Sequence, residues 1–398
     1  MRPDELLALK ELEQNALFDA IQAINNNAQE EELYRIFHFT MRGNPIVKSF
    51  SLYVKDEGSW VCKTHWGNNL DFAELNLPAS ILAIKEPTLL TPDMGFLGDF
   101  DRVLPIKHKS EVLAYAFLSE KSPNTEAKFV HALSNIIIVA IENKKLARRH
   151  LQQENLKRQL DIAREVQSLL FPKKMPYHAQ IKVAAEYKPH HSIGGDYYDF
   201  ISISESEFLL CIADVSGKGV PAAILMSNFQ AGLRILARQT KNLSIIVNEL
   251  NRLIMDNSGG ENFITAFFAL FNIETKTLRY VNAGHNPPML FRQNMMCERL
   301  SLGTTLLGTF SKLPMLDTGT VSNLNNFLLF AFTDGFTETY NETNEEFGEE
   351  VLTDFIAKNY DLPPRELNKV LLEMLDAFKG RNGFADDITL LTCRVMLP

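Results

Sequence analysis

A long stretch without helix breakers constrains this fold more than any other feature. Residues 125–171 contain no glycine and no proline, and Pro172 ends the stretch. Such a run predicts one continuous helix. The chain has 398 residues, which is more than a single hydrophobic core usually holds. This length predicts two domains, and the long helix is the expected connector between them. We expect a regulatory domain over 1–145, a helical linker over 146–175 and a catalytic domain over 176–398.

The second half of this helix carries a heptad-like pattern. Its 4-3-4-3 seam consists of Leu156, Leu160, Ala163, Gln167 and Leu170. Positions outside the seam, such as Lys157 and Arg164, are charged. The pattern predicts a coiled coil and therefore a homodimer. An amphipathic helix that docks on its own domain would show the same pattern, so this alternative stays open.

The first 145 residues predict a small α/β unit. A helical stretch from about Leu6 to Met41 is interrupted by Asn25-Asn26-Asn27, and a closing helix begins near Thr125. The predicted strands cover 49–55, 60–66, 102–109 and 112–119. Asp56-Glu57-Gly58 between the first two strands is a hairpin signal. This order resembles a GAF-type sensor domain, which implies ligand binding or dimerisation.

From Ile181 onward, strands are combined with pairs of helices. The predicted strands cover 182–188, 197–204, 207–215, 263–273, 278–285, 327–334 and 387–395. The predicted helices cover 220–238, 244–257, 347–358 and 363–378. Ser244 is the expected N-cap of the second helix. This arrangement favours antiparallel sheets covered by helices, an α+β fold, over alternating βαβ units.

Charge and composition exclude several classes of partner. The net charge is −9 with no long basic run, which argues against nucleic-acid binding. The longest aliphatic run, Ile136 to Ile141, is about a third of a membrane span. The four cysteines form no C-x-x-C pair, so we expect reduced thiols rather than a zinc site or disulfides. The N-terminus lacks the apolar core of a signal peptide, and we expect a cytoplasmic protein without membrane contact.

Aspartates in the second half share an unusual setting, because each lies at the end of a strand or next to glycine. They are Asp196, Asp214, Asp334 and the neighbouring pair Asp386 and Asp387. An acidic residue at the end of an apolar strand is costly unless its charge is compensated. Converging carboxylates without nearby Cys or His select hard divalent cations, namely Mg²⁺ or Mn²⁺. Four carboxylates nearly balance two such ions.

Seven motifs stand in an order that identifies a family resemblance. They are AREVQSLLFPKKMP, GGDYYDF, ADVSGKGVPAAILM, FITAFFALFN, VNAGHNPP, FTDGFTET and ADDITLL. From about residue 160 to 398 the chain resembles the SpoIIE/RsbU-type branch of the PP2C (PPM) serine/threonine phosphatases. The resemblance implies a PP2C-like β-sandwich of antiparallel sheets flanked by helices. It also implies hydrolysis of phosphoserine or phosphothreonine, commonly on a STAS-domain anti-sigma-factor antagonist.

The resemblance also implies roles for individual residues. Asp214 would bridge two metal ions, and the backbone carbonyl of Val215 would complete one metal shell. Asp196 would hold one metal, directly or through water, while Asp334 and Asp386 would hold the other. A water activated by the two cations would attack phosphorus directly, without a covalent enzyme intermediate.

Some assignments stay open in the sequence. Asp387 is the alternative ligand if the register differs by one residue. The general acid is unassigned, with His190, His191 and His285 as candidates, and no phosphate-binding residue is identifiable. A catalytically inactive phosphatase fold that acts as a sensor or binding module is the alternative function, and loss of a metal ligand would support it.

Overall fold

The protein forms two compact units, Met1–Asn155 and Leu156–Pro398. They are seen in a computed structural model of the full chain, which describes residues 3–56, 58–68, 72, 76–91, 97, 99–120, 127–177, 179–190, 193–293 and 296–398. The expected bounds of the three sequence segments stay predictions.

The first unit consists of helices packed on one antiparallel sheet. Its elements are α1 (Pro3–Asn25), α2 (Glu30–Gly43), β1 (Val47–Asp56), β2 (Ser59–Trp66), α3 (Ala79–Leu82), β3 (Thr88–Leu89), β4 (Arg102–His108) and β5 (Glu111–Glu120). The strands follow the order β2-β1-β5-β4-β3. Alternate residues of β1 serve two cores, since Phe50, Leu52 and Val54 pack with α2 whereas Tyr53 packs on the opposite face. A sheet buried on both faces therefore organises this unit.

The predicted elements of the first unit are present. The helical stretch breaks between Asn25 and Glu30, and β1 and β2 pair as the expected hairpin. Glu57 of the predicted turn and Thr125, the expected helix start, lie outside the described residues. The pattern missed α3 and β3, which are too short to show a period of their own. The likeness to a GAF-type domain stays a prediction.

The long helix expected from the missing helix breakers is α4 (Lys128–Ser168), with 41 residues. Its first half contributes Leu133, Ile137 and Ile141 to the core of the first unit. The prediction of one continuous helix is confirmed, and it ends shortly before Pro172.

The second unit contains two sheets. Its strands are β6 (Ile181–Lys188), β7 (Tyr197–Ser202), β8 (Glu207–Val215), β9 (Ile264–Asn272), β10 (Thr277–Ala283), β11 (Met289–Arg292), β12 (Cys297–Arg299), β13 (Gly303–Thr304), β14 (Gly319–Val321), β15 (Asn326–Phe332) and β16 (Ile388–Met396). One sheet has the order β13-β10-β9-β8-β7 with β14 beside β10, and the other has the order β12-β11-β15-β16-β6. Neighbouring strands are antiparallel except for the two-residue pairing of β13 with β10. The predicted antiparallel α+β fold is confirmed.

Helices cover the outer faces of this sandwich. They are α5 (Val220–Gln239), α6 (Leu243–Ser258), α7 (Asp334–Thr337), α8 (Glu349–Lys358) and α9 (Pro364–Lys379). The two sheets share a core that includes Ile212 and Leu391. Helices α5 and α6 pack on the first sheet, and α8 and α9 pack on the second. The layers are therefore helix, sheet, sheet, helix.

Among the described residues, α5 is the one helix with the length and apolarity of a membrane span. Its apolar character has another physical basis, because Met226, Phe229 and Leu233 are fully buried in the core of the sandwich. A core helix that meets a sheet with one face has this composition.

The expected N-cap of α6 is wrong by two residues. The side chain of Asn242 accepts hydrogen bonds from the backbone N–H groups of Ser244, at 3.0 Å, and Ile245, at 3.4 Å. Asn and Ser are nearly equal as N-caps, so the sequence alone did not choose between them.

We expect Asn242→Ala to destabilise the C-terminal unit by about 1 kcal/mol, because two backbone donors lose their acceptor. Thermal unfolding should show this as a melting temperature lower by about 2–4 °C. Asn242→Ser, which keeps a capping oxygen, is the matched control. If Asn242→Ala leaves the melting temperature unchanged and Ser244→Ala lowers it, Ser244 would be the N-cap instead.

Candidate metal-binding active site

The sheet register brings the predicted aspartates together at one end of the sandwich. Asp196 directly precedes β7, and Asp214 lies near the end of β8, its antiparallel neighbour. Asp334 follows β15, and Asp386 precedes its neighbour β16. In each antiparallel pair, the end of one strand lies beside the start of the other. Each sheet therefore delivers two carboxylates to the same edge.

Asp196 joins the two sheets. Its side chain is buried, and its Oδ2 accepts hydrogen bonds from the hydroxyls of Thr333, at 2.9 Å, and Thr389, at 2.5 Å. Burial raises the pKa of Asp196 well above its usual value, and the charge of Asp214 raises it further. The two threonine hydroxyls act in the opposite direction because they stabilise the charged form.

The pKa of Asp214 is affected by the charges of three other carboxylates. Burial raises the pKa of Asp214 to about 7, and the charge of Asp334 is the next largest cause. Asp386 and Asp387 add smaller contributions in the same direction. Burial and the charge of Asp386 likewise raise the pKa of Asp334. Asp214 therefore lies within electrostatic reach of the other three predicted carboxylates.

Two glycines make this approach possible. A Cβ on Gly195 would lie 2.7 Å from the carbonyl oxygen of Val215, and a Cβ on Gly194 would lie 1.9 Å from Oδ2 of Asp387. Real side chains do not tolerate such distances, so these positions require glycine. The glycines thus let the loop before β7 lie against the end of β8, where the Val215 carbonyl is a candidate ligand.

Asp386 and Asp387 have different surroundings. Both carboxylate oxygens of Asp387 accept backbone N–H groups, from His190 at 2.7 Å and from Gly195 at 2.8 Å. Asp386 is about half exposed and faces Lys218, whose ammonium lies 2.8 Å from its Oδ2. The arrangement favours Asp386 as a metal ligand and Asp387 as the residue that fixes the loop of Asp196.

We expect Asp387→Ala to lower the free energy of unfolding by about 2 kcal/mol, because hydrogen bonds to a charged acceptor are lost. We expect the isosteric Asp386→Asn to keep the melting temperature and to abolish Mn²⁺ binding at one of the two expected metal positions. Thermal unfolding and titration calorimetry with Mn²⁺ measure the two effects. Binding at both metal positions in Asp386→Asn, with loss of one position in Asp387→Asn, would reverse the assignment.

The candidate histidines differ in their suitability as general acids. His285 is buried, and burial lowers its pKa to about 4, so its ring is neutral near pH 7 and has no extra proton to donate. Its Nδ1 lies 3.0 Å from the hydroxyl of Thr265, and its backbone is held by Asn282. This environment indicates a structural residue. His191 lies outside the described residues, and the general acid stays unassigned.

The end of α4 contacts the site through residues that the sequence pattern assigned to a dimer seam. The amide of Gln167 donates a hydrogen bond of 2.8 Å to the carbonyl of Gly194, in the loop before Asp196. The carbonyl of Leu170 accepts hydrogen bonds from Gln230 and Arg234 of α5. Arg234 also binds the buried Asp199 of β7, at 2.7 Å. This end of the helix is therefore docked on its own unit, as the open alternative predicted.

Thr333, Thr389 and Arg234 are the supporting residues that sequence reasoning missed. The two threonines adjoin the Asp334 and Asp387 motifs, a signal that could have marked them. Arg234 lies on α5, and the sequence around it gives no indication of its ion-pair partner. Only the fold brings it to Asp199.

The donor set suits a hard divalent cation. The carboxylates of Asp196, Asp214, Asp334 and Asp386 and the carbonyl of Val215 are all oxygen donors, as Mg²⁺ and Mn²⁺ prefer. Burial, together with neighbouring carboxylates, raises the pKa of Asp196, Asp214 and Asp334, and bound cations would offset this concentrated negative charge. Within the described ranges, however, no three acidic, His or Cys side chains already form a closed metal site.

Comparisons with known proteins agree with this geometry. Residues 204–396 match the family model described as stage II sporulation protein E (SpoIIE). The phosphoserine phosphatase RsbU of Bacillus subtilis is 33% identical over 181 residues, covering 44% of this chain and 53% of RsbU. Protein IcfG of Synechocystis sp. is 27% identical over 263 residues, covering 58% of this chain and 41% of IcfG. The chain thus spans about half the length of these relatives.

Among solved structures, the SiaA PP2C domain of Pseudomonas aeruginosa superimposes with a TM-score of 0.55 at 20% identity. The match covers 61% of this chain and 98% of that domain. The fold of the C-terminal unit is thus that of the PP2C class. The family match over residues 204–396 makes this part of the C-terminal unit similar to the SpoIIE family.

Proposed function

We propose that the protein is a metal-dependent phosphatase that hydrolyses phosphoserine or phosphothreonine on a regulatory protein. The observation that carries the proposal is the convergence of Asp196, Asp214 and Asp334, whose pKa values are raised by burial and by neighbouring carboxylates. Such a cluster suits binding of divalent cations beside a phosphoryl group. A catalytically inactive fold gains no support, because all four expected carboxylate positions hold aspartate.

The proposed ligand set is that of two divalent cations, Mn²⁺ or Mg²⁺. Asp214 would contact both, Asp196 and the Val215 carbonyl would hold one, and Asp334 with Asp386 would hold the other. When bound, the cations supply an activated water and neutralise charge on the phosphoryl oxygens. The protein orients the ligands through the hydroxyls of Thr333 and Thr389 and through the hydrogen bonds that Asp387 accepts.

A phosphorylated STAS-domain protein is the substrate that we propose. The family resemblance supports this choice, and the relative RsbU is named a phosphoserine phosphatase. We further propose that the first unit regulates the second and that the protein acts in the cytoplasm. Cys62, Cys211, Cys297 and Cys393 are all free thiols, as expected in a reducing compartment.

We expect Asp214→Asn to reduce Mn²⁺-dependent hydrolysis of p-nitrophenyl phosphate or a phosphoserine peptide at least about 100-fold. The variant removes one negative charge from the centre of the cluster, and a loss of about 3 kcal/mol of transition-state stabilisation has this effect. Initial rates with and without Mn²⁺ measure it.

The exposed Asp256, near the end of α6 and outside the cluster, provides the matched control Asp256→Asn. Its rate should equal that of the wild type. Turnover that is independent of Mn²⁺, or that survives in Asp214→Asn, would contradict the proposed site.

We also propose a homodimer through the helical linker, with a seam that differs from the expected one. Gln167 and Leu170 of the predicted seam contact their own unit. Ile162 and Val166, on another face of α4, and Leu169, directly after its end, follow the same 4-3 spacing and are 55–61% exposed. Large apolar side chains at this spacing, unpaired within their unit, favour a second copy of the helix as partner.

We expect the double variant Ile162→Glu/Val166→Glu to be monomeric, because charges in a coiled-coil seam are not tolerated. Light scattering coupled to size-exclusion chromatography gives the mass. Lys157→Glu, an exposed change on a different face, should leave the mass unchanged. A wild type that is monomeric, or a double variant that stays dimeric, would rule out this seam.

A further inference from the structure

Lys218 contacts a metal-ligand candidate directly. It lies in the loop between β8 and α5, four residues after Asp214. Its ammonium donates a hydrogen bond of 2.9 Å to the carbonyl of Ala385 and lies 2.8 Å from Oδ2 of Asp386. From the sequence, Lys218 was a candidate for contact with a substrate phosphate, and a solvated turn lysine was the favoured interpretation. In the fold, its charge connects two loops of the proposed site.

Both oxygens of Asp386 are engaged in this arrangement. Oδ1 accepts the backbone N–H of Asp387 at 2.8 Å, and Oδ2 faces the ammonium of Lys218. A divalent cation bound to Asp386 needs an oxygen at about 2.0–2.1 Å. A metal ion and an ammonium on the same oxygen would repel each other strongly at such short separation.

The charge of Lys218 also reaches the second carboxylate of this half of the site. It is one of the influences that lower the pKa of Asp334 against the larger effect of burial. Asp334 and Asp386 are the two carboxylates that we assign to one cation. The ammonium of Lys218 therefore compensates the negative charge of Asp334 and Asp386, which the bound cation would also compensate.

The surrounding loop allows Lys218 to move. Gly217 and Gly219, its neighbours on either side, both have positive φ, at 90° and 74°. The Lys218 side chain is 47% exposed, so no packed core holds its four-carbon stem. Gly219 is the N-cap residue of α5, so the contact also connects the start of this helix to the loop before β16.

We propose that Lys218 is a tethered competitor of the divalent cation held by Asp334 and Asp386. A cation bound to either oxygen of Asp386 would be repelled by the ammonium at Oδ2, so the lysine raises the cation concentration at which this half of the site fills. The inference rests on the proposed function, since it uses the ligand assignment made there. Lys218 is then a positioning residue, and its ammonium leaves Asp386 before both metal positions are filled.

Titration calorimetry of the full-length protein with Mn²⁺ tests the competition without any need for turnover. In Lys218→Met, which keeps a long stem and removes the charge, we expect Mn²⁺ to bind about tenfold more tightly at one site. Lys218→Arg keeps a cation and should bind Mn²⁺ with nearly the wild-type affinity. Lys241→Met is the control, because this lysine pairs with Glu207 outside the cluster.

The outcomes separate the possible roles of the lysine. Unchanged affinity in Lys218→Met, or weaker binding, would overturn the competition and indicate a structural connection. The Mn²⁺ concentration that gives half-maximal phosphatase rate should fall in the same variant, in parallel with the binding constant. A wild type that binds no Mn²⁺ at all would instead refute the proposed function, and the competition with it. Binding without turnover would refute only the activity.

Discussion

Repulsion among buried carboxylates is the constraint on which the rest of the C-terminal unit depends. Antiparallel pairing places Asp196 opposite Asp214 and brings the end of β15, with Asp334, to the start of β16, with Asp386, so the fold itself concentrates negative charge at one edge. Burial and mutual repulsion raise the pKa of Asp214 to about 7. A cluster of this kind persists only if donors and cations compensate it.

The compensation comes from several parts of the chain. Hydroxyls of the second sheet stabilise Asp196, and backbone N–H groups stabilise Asp387. Asp386 receives an ammonium from the loop that follows Asp214. Asp387 has both oxygens occupied by rigid donors, whereas Asp386 has one occupied by a flexible side chain. This difference explains how two adjacent aspartates can serve different purposes.

The sequence predicted the longer elements well because their patterns are local. The buried strands β8, β9 and β16 and the long helix α4 follow from apolar runs, spacing and the absence of breakers. The short strands β11 to β14 were missed, since two to four residues carry no period and their pairing partners define them. The N-cap of α6 was misplaced because Asn242 and Ser244 have nearly equal capping preference.

The sequence by itself determined the class of fold and the candidate ligands. Aspartates at strand ends beside glycines form a local pattern, which can be recognised without the tertiary structure. Only the tertiary structure decided which partners these residues meet. It docked Gln167 on its own unit rather than in a seam, distinguished Asp386 from Asp387, and brought Lys218 to Asp386 across 168 positions of the chain. Such contacts join residues distant in sequence, and their geometry depends on the packing of the sheets rather than on any local pattern.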